Sequence, residues 1–275
     1  MKKVTFGSIL KYAFLFIATI LIIIPLLFIA VSSVKTNEEI FQGAFKLPVK
    51  PYLVNYRLIF NENYHLYTYL FNSIIYAVLV CSASIIINSM ASYALGRMIW
   101  KLNKPVMGVF LSGIMIPLHA IIVPLYILTA RFRLPNTITL GLLYTAATIP
   151  TSVFLLRGFL NSVPRAIEES AVIDGSSIPY LFFKIVVPII KPAIATMTIF
   201  NFMAVWNDLM LALIFLSEDK YKTLQLGLMR FRSSTYNDYG LLLTGMMVSI
   251  IPIIIVYLFM SEKIIGGITV GAVKG

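Results

Sequence analysis

The sequence predicts an all-α integral membrane protein of six transmembrane helices, with a short cytoplasmic helix between the fourth and the fifth. Three observations carry this. Of 275 residues, 59% are hydrophobic and 12% charged, with a mean hydropathy of +0.91; soluble domains carry about 25% charged residues. Six apolar runs approach or exceed the roughly 20 residues that an α-helix needs to cross the hydrocarbon core. One polar stretch, Glu168 to Pro188 (EESAVIDGSSIPYLFFKIVVP), interrupts them.

The first run, Tyr12 to Val34, follows Met-Lys-Lys. A basic start before an apolar core also marks a signal peptide, but this run exceeds a typical h-region, so a retained helix is expected. The second spans Phe71 to Gly96, and the third Val106 to Ala130. Pro117 and Pro124 should kink the third, leaving His119 to bond a freed carbonyl. Ile138 to Leu160, Ala193 to Leu216 and Leu241 to Met260 complete the set. With no linker, low-complexity tract or internal repeat, residues 1–275 read as a single membrane domain.

Charge sets the orientation. The net charge of +11 would suggest nucleic acid in a soluble chain, but here the basic residues lie in short loops, where anionic lipid and topology explain them. With both termini inside, the inner segments hold 12 Lys/Arg and the outer ones 10. The bias is sharper in Arg97 to Lys104, which has three basic residues and no acid. Both termini and the connection 161–191 are therefore expected in the cytoplasm.

Within that connection Pro164 suits a first helical turn, and Gly175 supplies the left-handed residue that ends a helix. Arg165 stands at helical spacing to pair with Glu168 or Glu169. One helix is expected from about Pro164 to Asp174, and Ser177 is placed to cap a second turn carrying Ile178, Leu181, Phe182 and Ile185. Ile167, Ala171 and Ser170 share a face on which a partner could approach the backbone closely. The alternative is an interfacial helix among the headgroups, but such anchors are rich in Lys/Arg, whereas this one sets Arg165 against Glu168, Glu169 and Asp174.

Glu169-Ser170-Ala171, three residues, Gly175, nine residues and Ile185-Val186-Val187-Pro188 resemble a known signature. It is the E-A-A, three, G, nine, I-x-L-P motif of permease subunits in binding-protein-dependent ATP-driven importers, with Ser170 in place of alanine and Val187 in place of leucine. FLLRGFLNSVP (154–164), VIDGSS (172–177), VPLYIL (123–128), PNTITLGLLY (135–144), WNDLMLAL (206–213) and the terminal GAVKG (271–275) resemble the carbohydrate branch of that family, that of the smaller maltose permease.

The resemblance implies a coupling helix in the 161–191 loop, with Glu168, Glu169, Ser170, Ala171, Asp174 and Gly175 docking on a cytoplasmic ATPase dimer. It also implies a second, homologous permease, an extracellular solute-binding protein and a place in the bacterial plasma membrane, with the GAVKG tail close to the ATPase. ATP and Mg would be used by the ATPase. This chain has no G-x-x-x-x-G-K-[ST] loop, no H-E-x-x-H and no nucleophile elbow, and its histidines are only His65 and His119. No cofactor, metal or catalytic residue is expected in it. The lone Cys81 excludes an internal disulfide and reads as a small packing residue.

For the path itself, polar groups inside the spans are the candidates, because lipid exposure is costly. Asp208 is the only acid in the six runs, flanked by Trp206 and Asn207, with Asn201 about two turns earlier. An aromatic beside amide and carboxylate suits a sugar; equally, Asp208 could satisfy a helix end. Asn72 and Asn88 are further candidates, although such residues more often join helices. Two other functions fit: an ion-gradient transporter with Asp208 as its coupling acid, and a scaffold that recruits a cytoplasmic partner and moves nothing.

Overall fold

The computed structural model describes the backbone of residues 6–43, 45–61, 65–231 and 238–272, and side chains as far as Ser261. Helix is the only regular structure among the described residues. In chain order these are α1 (Phe6–Ser32), α2 (Asn37–Gln42), α3 (Val54–Ile59), α4 (Leu66–Arg97), α5 (Asn103–Met115), α6 (Ile122–Ala130) and α7 (Asn136–Leu160). There follow α8 (Arg165–Ile173), α9 (Ile178–Tyr180), α10 (Val187–Ile189), α11 (Lys191–Trp206), α12 (Met210–Phe215), α13 (Leu224–Leu228) and α14 (Tyr239–Ala272).

Among the described residues four helices are long and apolar enough to cross a membrane, within α1, α4, α7 and α14, and two bent pairs raise the number to six if each is one crossing. The third and fifth expected runs are those pairs. α5 and α6 meet at 98° through Ile116, Pro117 and a 3-10 turn at Leu118–Ile121. Pro117 makes this break; Pro124 falls in the first turn of α6, where a missing N–H costs nothing. His119 makes no hydrogen bond to a freed carbonyl among the described residues, contrary to expectation. The run expected from Ala193 to Leu216 is not one helix: α11 stops at Trp206 and the chain restarts as α12. Between α9 and α10 the segment Leu181–Val186 winds as a π-helix, and Ile178–Ile189 meets α11 at 78°.

The chain divides into two compact units, one formed by residues up to Tyr67 with Gly227–Ile251, the other by Thr68–Leu226 with the residues from Pro252 on. In the first, Thr36 and Glu39 form a reciprocal capping box on α2. The buried amide of Asn55 donates to the carbonyls of Ser33 and Lys35, and Thr244 donates to Ser33 as well, so the turn after α1 is held from two sides. Gly245 lies so closely against Leu228 that an added Cβ would clash with its Cδ2.

In the second unit α7 packs against α5, α11 and α12. Gly113 of α5 permits the closest approach, since an added Cβ would stand 3.0 Å from Pro150. Buried polar groups stitch these helices: Ser84 and Asn88 of α4 bond Thr148 of α7 at 2.9 and 3.1 Å, and Ser152 of α7 bonds Asn201 of α11 at 3.3 Å. In an apolar surrounding each such bond contributes only about 0.6 kcal/mol on average, but it fixes register.

Candidate functional site

α8 is built as its sequence requires. Pro164 precedes it with φ −60° and ψ 130°. At the other end Gly175 adopts φ +81°, Ser176 N–H bonds Ala171 O at 2.9 Å, and Gly175 N–H bonds Val172 O at 3.0 Å. That pair of bonds is the Schellman arrangement, which closes a helix on a left-handed residue. Ser177 then accepts from Tyr180 N–H and starts α9. A sharp, short helix results.

Its inner face is anchored through Glu168. Arg97, the last residue of α4, brings its Nε within 2.8 Å of Glu168 Oε1, with side-chain exposures of 7% and 12%. The N–H does not point along that line, so this is a charge contact rather than an aligned hydrogen bond. The same guanidinium donates through Nη2 to the carbonyls of Leu160 (2.7 Å) and Val163 (2.6 Å). Leu160 ends α7 and Val163 lies in the turn before α8, so the guanidinium ties these two backbone stretches together. Tyr93, one turn earlier on α4, donates to Glu168 Oε2 at 3.1 Å. Four segments thus converge on one ion pair: α4, the end of α7, the turn before α8, and α8 itself.

The structure changes two sequence expectations here. Arg97, and not Arg165, is the ion-pair partner of Glu168. Ala171 does not share an open face with Ile167 and Ser170; it is buried in a core with Tyr93, Leu156, Leu160, Val163, Leu181 and Phe182. Ser170 faces out, its hydroxyl donating back to Ala166 O. Glu169, Asp174 and Gly175 are exposed, and beside them stand Val172 (56% exposed), Ile173 (85%) and Ile178 (57%). The outward surface is an acidic helix tipped with bare aliphatic side chains. Glu168, Glu169, Val172 and Ile173 border a groove of about 460 Å³ with Tyr93, Arg97 and Arg165.

The six path candidates do not form one cluster. Asp208 lies in the break between α11 and α12, where its carboxylate accepts from Leu211 N–H (3.4 Å) and Ala212 N–H (3.1 Å) and from Tyr144 Oη–H at 2.7 Å. A carboxylate there satisfies orphan donors and meets the positive end of α12. Asn207 is exposed and, with Asp208 and His119, lines a cavity of about 370 Å³. Trp206 is buried and stacks on Phe202 at 5.4 Å. Asn201 and Asn88 are buried in the interhelical bonds already described, and Asn72 donates to the carbonyls of Lys220 and Lys222. Tyr93, Arg97 and Tyr144 were not anticipated. Arg97 was visible only as a topology charge, and nothing local in the sequence pairs Tyr144 with Asp208. Within the GAVKG tail, side chains and the residues from Val273 on lie outside the described residues.

Residues 88–262 match the family model described as the binding-protein-dependent transport system inner membrane component. The chain is 33% identical to the multiple sugar-binding transport system permease protein of Streptococcus mutans, over 96% of each. It is 30% identical to the diacetylchitobiose uptake system permease protein of Streptomyces coelicolor, over 96% of this chain and 88% of that one. Its fold superposes with a TM-score of 0.82, at 21% identity and over 96% of this chain and 98% of the other, on a bacterial ABC transporter involved in import of the acidic polysaccharide alginate.

Proposed function

The chain belongs to the family of binding-protein-dependent transport system inner membrane components, and from that premise we propose that it is one of two permease subunits enclosing the path of an ATP-driven sugar importer. Six crossings place both termini in the cytoplasm of a bacterial plasma membrane, with the two bent pairs as the third and fifth. α8 is the coupling helix. It docks on one ATPase of a dimer that uses ATP and Mg, and an extracellular binding protein delivers the solute from above. The sugar and diacetylchitobiose uptake of the relatives supports a di- or oligosaccharide as solute.

The observation that carries this reading is the two-faced character of α8: one carboxylate, Glu168, is locked inward on Arg97, while Glu169 and the aliphatic tip of Val172, Ile173 and Ile178 are left bare. Headgroups could cover the aliphatic side chains but an anionic leaflet repels the acidic surface, whereas a protein groove covers both. Closure of the ATPases would move α8, and its anchored inner face would pass that movement to α4 and α7. Such a switch needs different contacts in its two states, which a helix docked on a moving partner provides.

The test is purification of the chain from detergent with its bound proteins, comparing wild type with Glu169→Lys and Gly175→Asp. An ATPase and a second permease should accompany wild type, and the ATPase should be lost from both variants. A chain that purifies alone and catalyses gradient-driven uptake in vesicles would replace this reading with that of a secondary transporter.

A further inference from the structure

The bases of α5, α7 and α11 frame a groove of about 500 Å³ whose walls are mostly apolar, with Leu111, Phe154 and Phe200 prominent. Phe154 and Phe200 are 59% and 56% exposed, so the groove opens outward from the helices. One charged side chain lines it, that of Arg157. Its Nε is buried without a hydrogen-bond partner, and no ion pair among the described residues includes it. Glu168, the acid of the neighbouring polar cluster, is already held by Arg97. Asn161, at the rim, likewise has no side-chain hydrogen bond among the described residues. Beside Arg157, Gly158 leaves open space, since an added Cβ would meet nothing within 4 Å.

Arg157 is half-buried, with its Nε enclosed and unpartnered; desolvating part of a charge in this way is costly, and an anion offsets that cost. Arg157 lies in the last turn of α7, a membrane-length helix, and therefore at headgroup depth. Apolar walls above, and at their rim a cation with no ion pair among the described residues, match the two halves of a phospholipid. Basic pockets between transmembrane helices are established sites for anionic headgroups.

We infer that this groove binds one anionic phospholipid, its phosphate on Arg157 and Asn161 and an acyl chain along Leu111, Phe154 and Phe200. The inference requires only that α7 crosses the membrane, and so it stands or falls separately from the transport reading. The phosphate could also be met by free inorganic phosphate, which would engage the cation without needing the apolar walls.

The test is native mass spectrometry of the detergent-extracted full chain, with whatever subunits accompany it, counting retained phosphatidylglycerol. Three variants serve: Arg157→Gln removes the charge, Gly158→Leu fills the groove but keeps the arginine, and Arg131→Gln removes an exposed charge elsewhere. Wild type and Arg131→Gln should each retain one lipid more than the other two, and phosphatidylglycerol should bind Arg157→Gln about tenfold more weakly, the order expected for one lost charge-assisted contact. Phosphatidylcholine and millimolar inorganic phosphate should not displace the retained lipid. Equal retention in all four proteins overturns the site, as does equal loss from Arg131→Gln. Displacement by inorganic phosphate assigns the cation to a free anion instead. Efficient disulfide formation between a cysteine at position 154 and the second permease assigns the groove to a subunit contact and removes the lipid.

Discussion

Arg97→Met should release α8 from the rest of the chain. Both members of the Arg97–Glu168 pair are nearly buried, at 7% and 12% exposure, and removing one partner of such a pair costs about 3–5 kcal/mol because the other charge is stranded. Tyr93 alone would then face the Glu168 carboxylate, the Val163 carbonyl would lose its guanidinium donor, and the Leu160 carbonyl would keep only Val163 N–H. At about 1.4 kcal/mol per factor of ten, amide hydrogen exchange across residues 165–173 should accelerate about a hundredfold or more, because local opening governs it. Glu168→Gln keeps a shape-matched acceptor for Tyr93 but strands the buried Arg97 guanidinium, and should cost a similar amount, about 3–5 kcal/mol. The double variant Arg97→Met with Glu168→Leu removes both charges and should recover most of the protection, since apolar replacement of a buried pair is often neutral. Exchange by mass spectrometry on the detergent-solubilised chain reads all three. Protection in Arg97→Met within about threefold of wild type, or a double variant worse than either single, would refute the anchoring role.

Other outcomes follow from single contacts. Tyr144→Phe removes one donor from the Asp208 carboxylate and should lower stability by about 1–3 kcal/mol, read as a fall in thermal midpoint, while uptake through the proposed importer persists; loss of uptake with unchanged stability would instead favour Asp208 as a transport residue. Gly245→Ala drives a methyl against Leu228 Cδ2 and should cost about 1 kcal/mol, the low end for overpacking because that side-chain end can yield, read as a small fall in thermal midpoint. Gly175→Val forces a β-branched residue to φ +81° and should cost about 1–2 kcal/mol or more, whereas Gly175→Asn should cost clearly less, because asparagine visits the left-handed region; equal midpoints for the two would contradict the Schellman closure.

Much of this arrangement was legible in the residues themselves, where local chemistry decides. Gly175 and Ser177 end and restart the helix where their backbone and hydroxyl roles place them. Pro117 breaks the third run for want of an N–H. The break after Trp206 was hidden, since a hydropathy window averages over Asp208 and no proline marks the spot. Helical spacing offers Arg165 to either Glu168 or Glu169, but Glu168 pairs with Arg97, 71 positions away in the chain, and only folding brings Arg97 there. Ala171 was misplaced for a related reason. α8 has apolar residues toward the core and apolar residues toward the outside, and periodicity alone cannot tell which of them is which.

α4 is a single helix of 32 residues without an internal proline, fastened at both ends within the same compact unit. Near one end Tyr69 bonds Asp219, Asn72 holds the carbonyls of Lys220 and Lys222, and Ser73 accepts from Leu224 N–H. At the other end Arg97 grips α8. From Tyr69 to Arg97 the rise is about 42 Å at 1.5 Å per residue. A rod of that length behaves as a lever: a tilt of about 5° about one end carries the other through roughly 4 Å, more than a hydrogen bond can stretch. The loop at 219–224 therefore cannot ignore an angular displacement imposed at α8. It must travel with the rod or let go of it, and two faces more than a membrane's hydrocarbon thickness apart are thereby linked through one helix with no hinge in between.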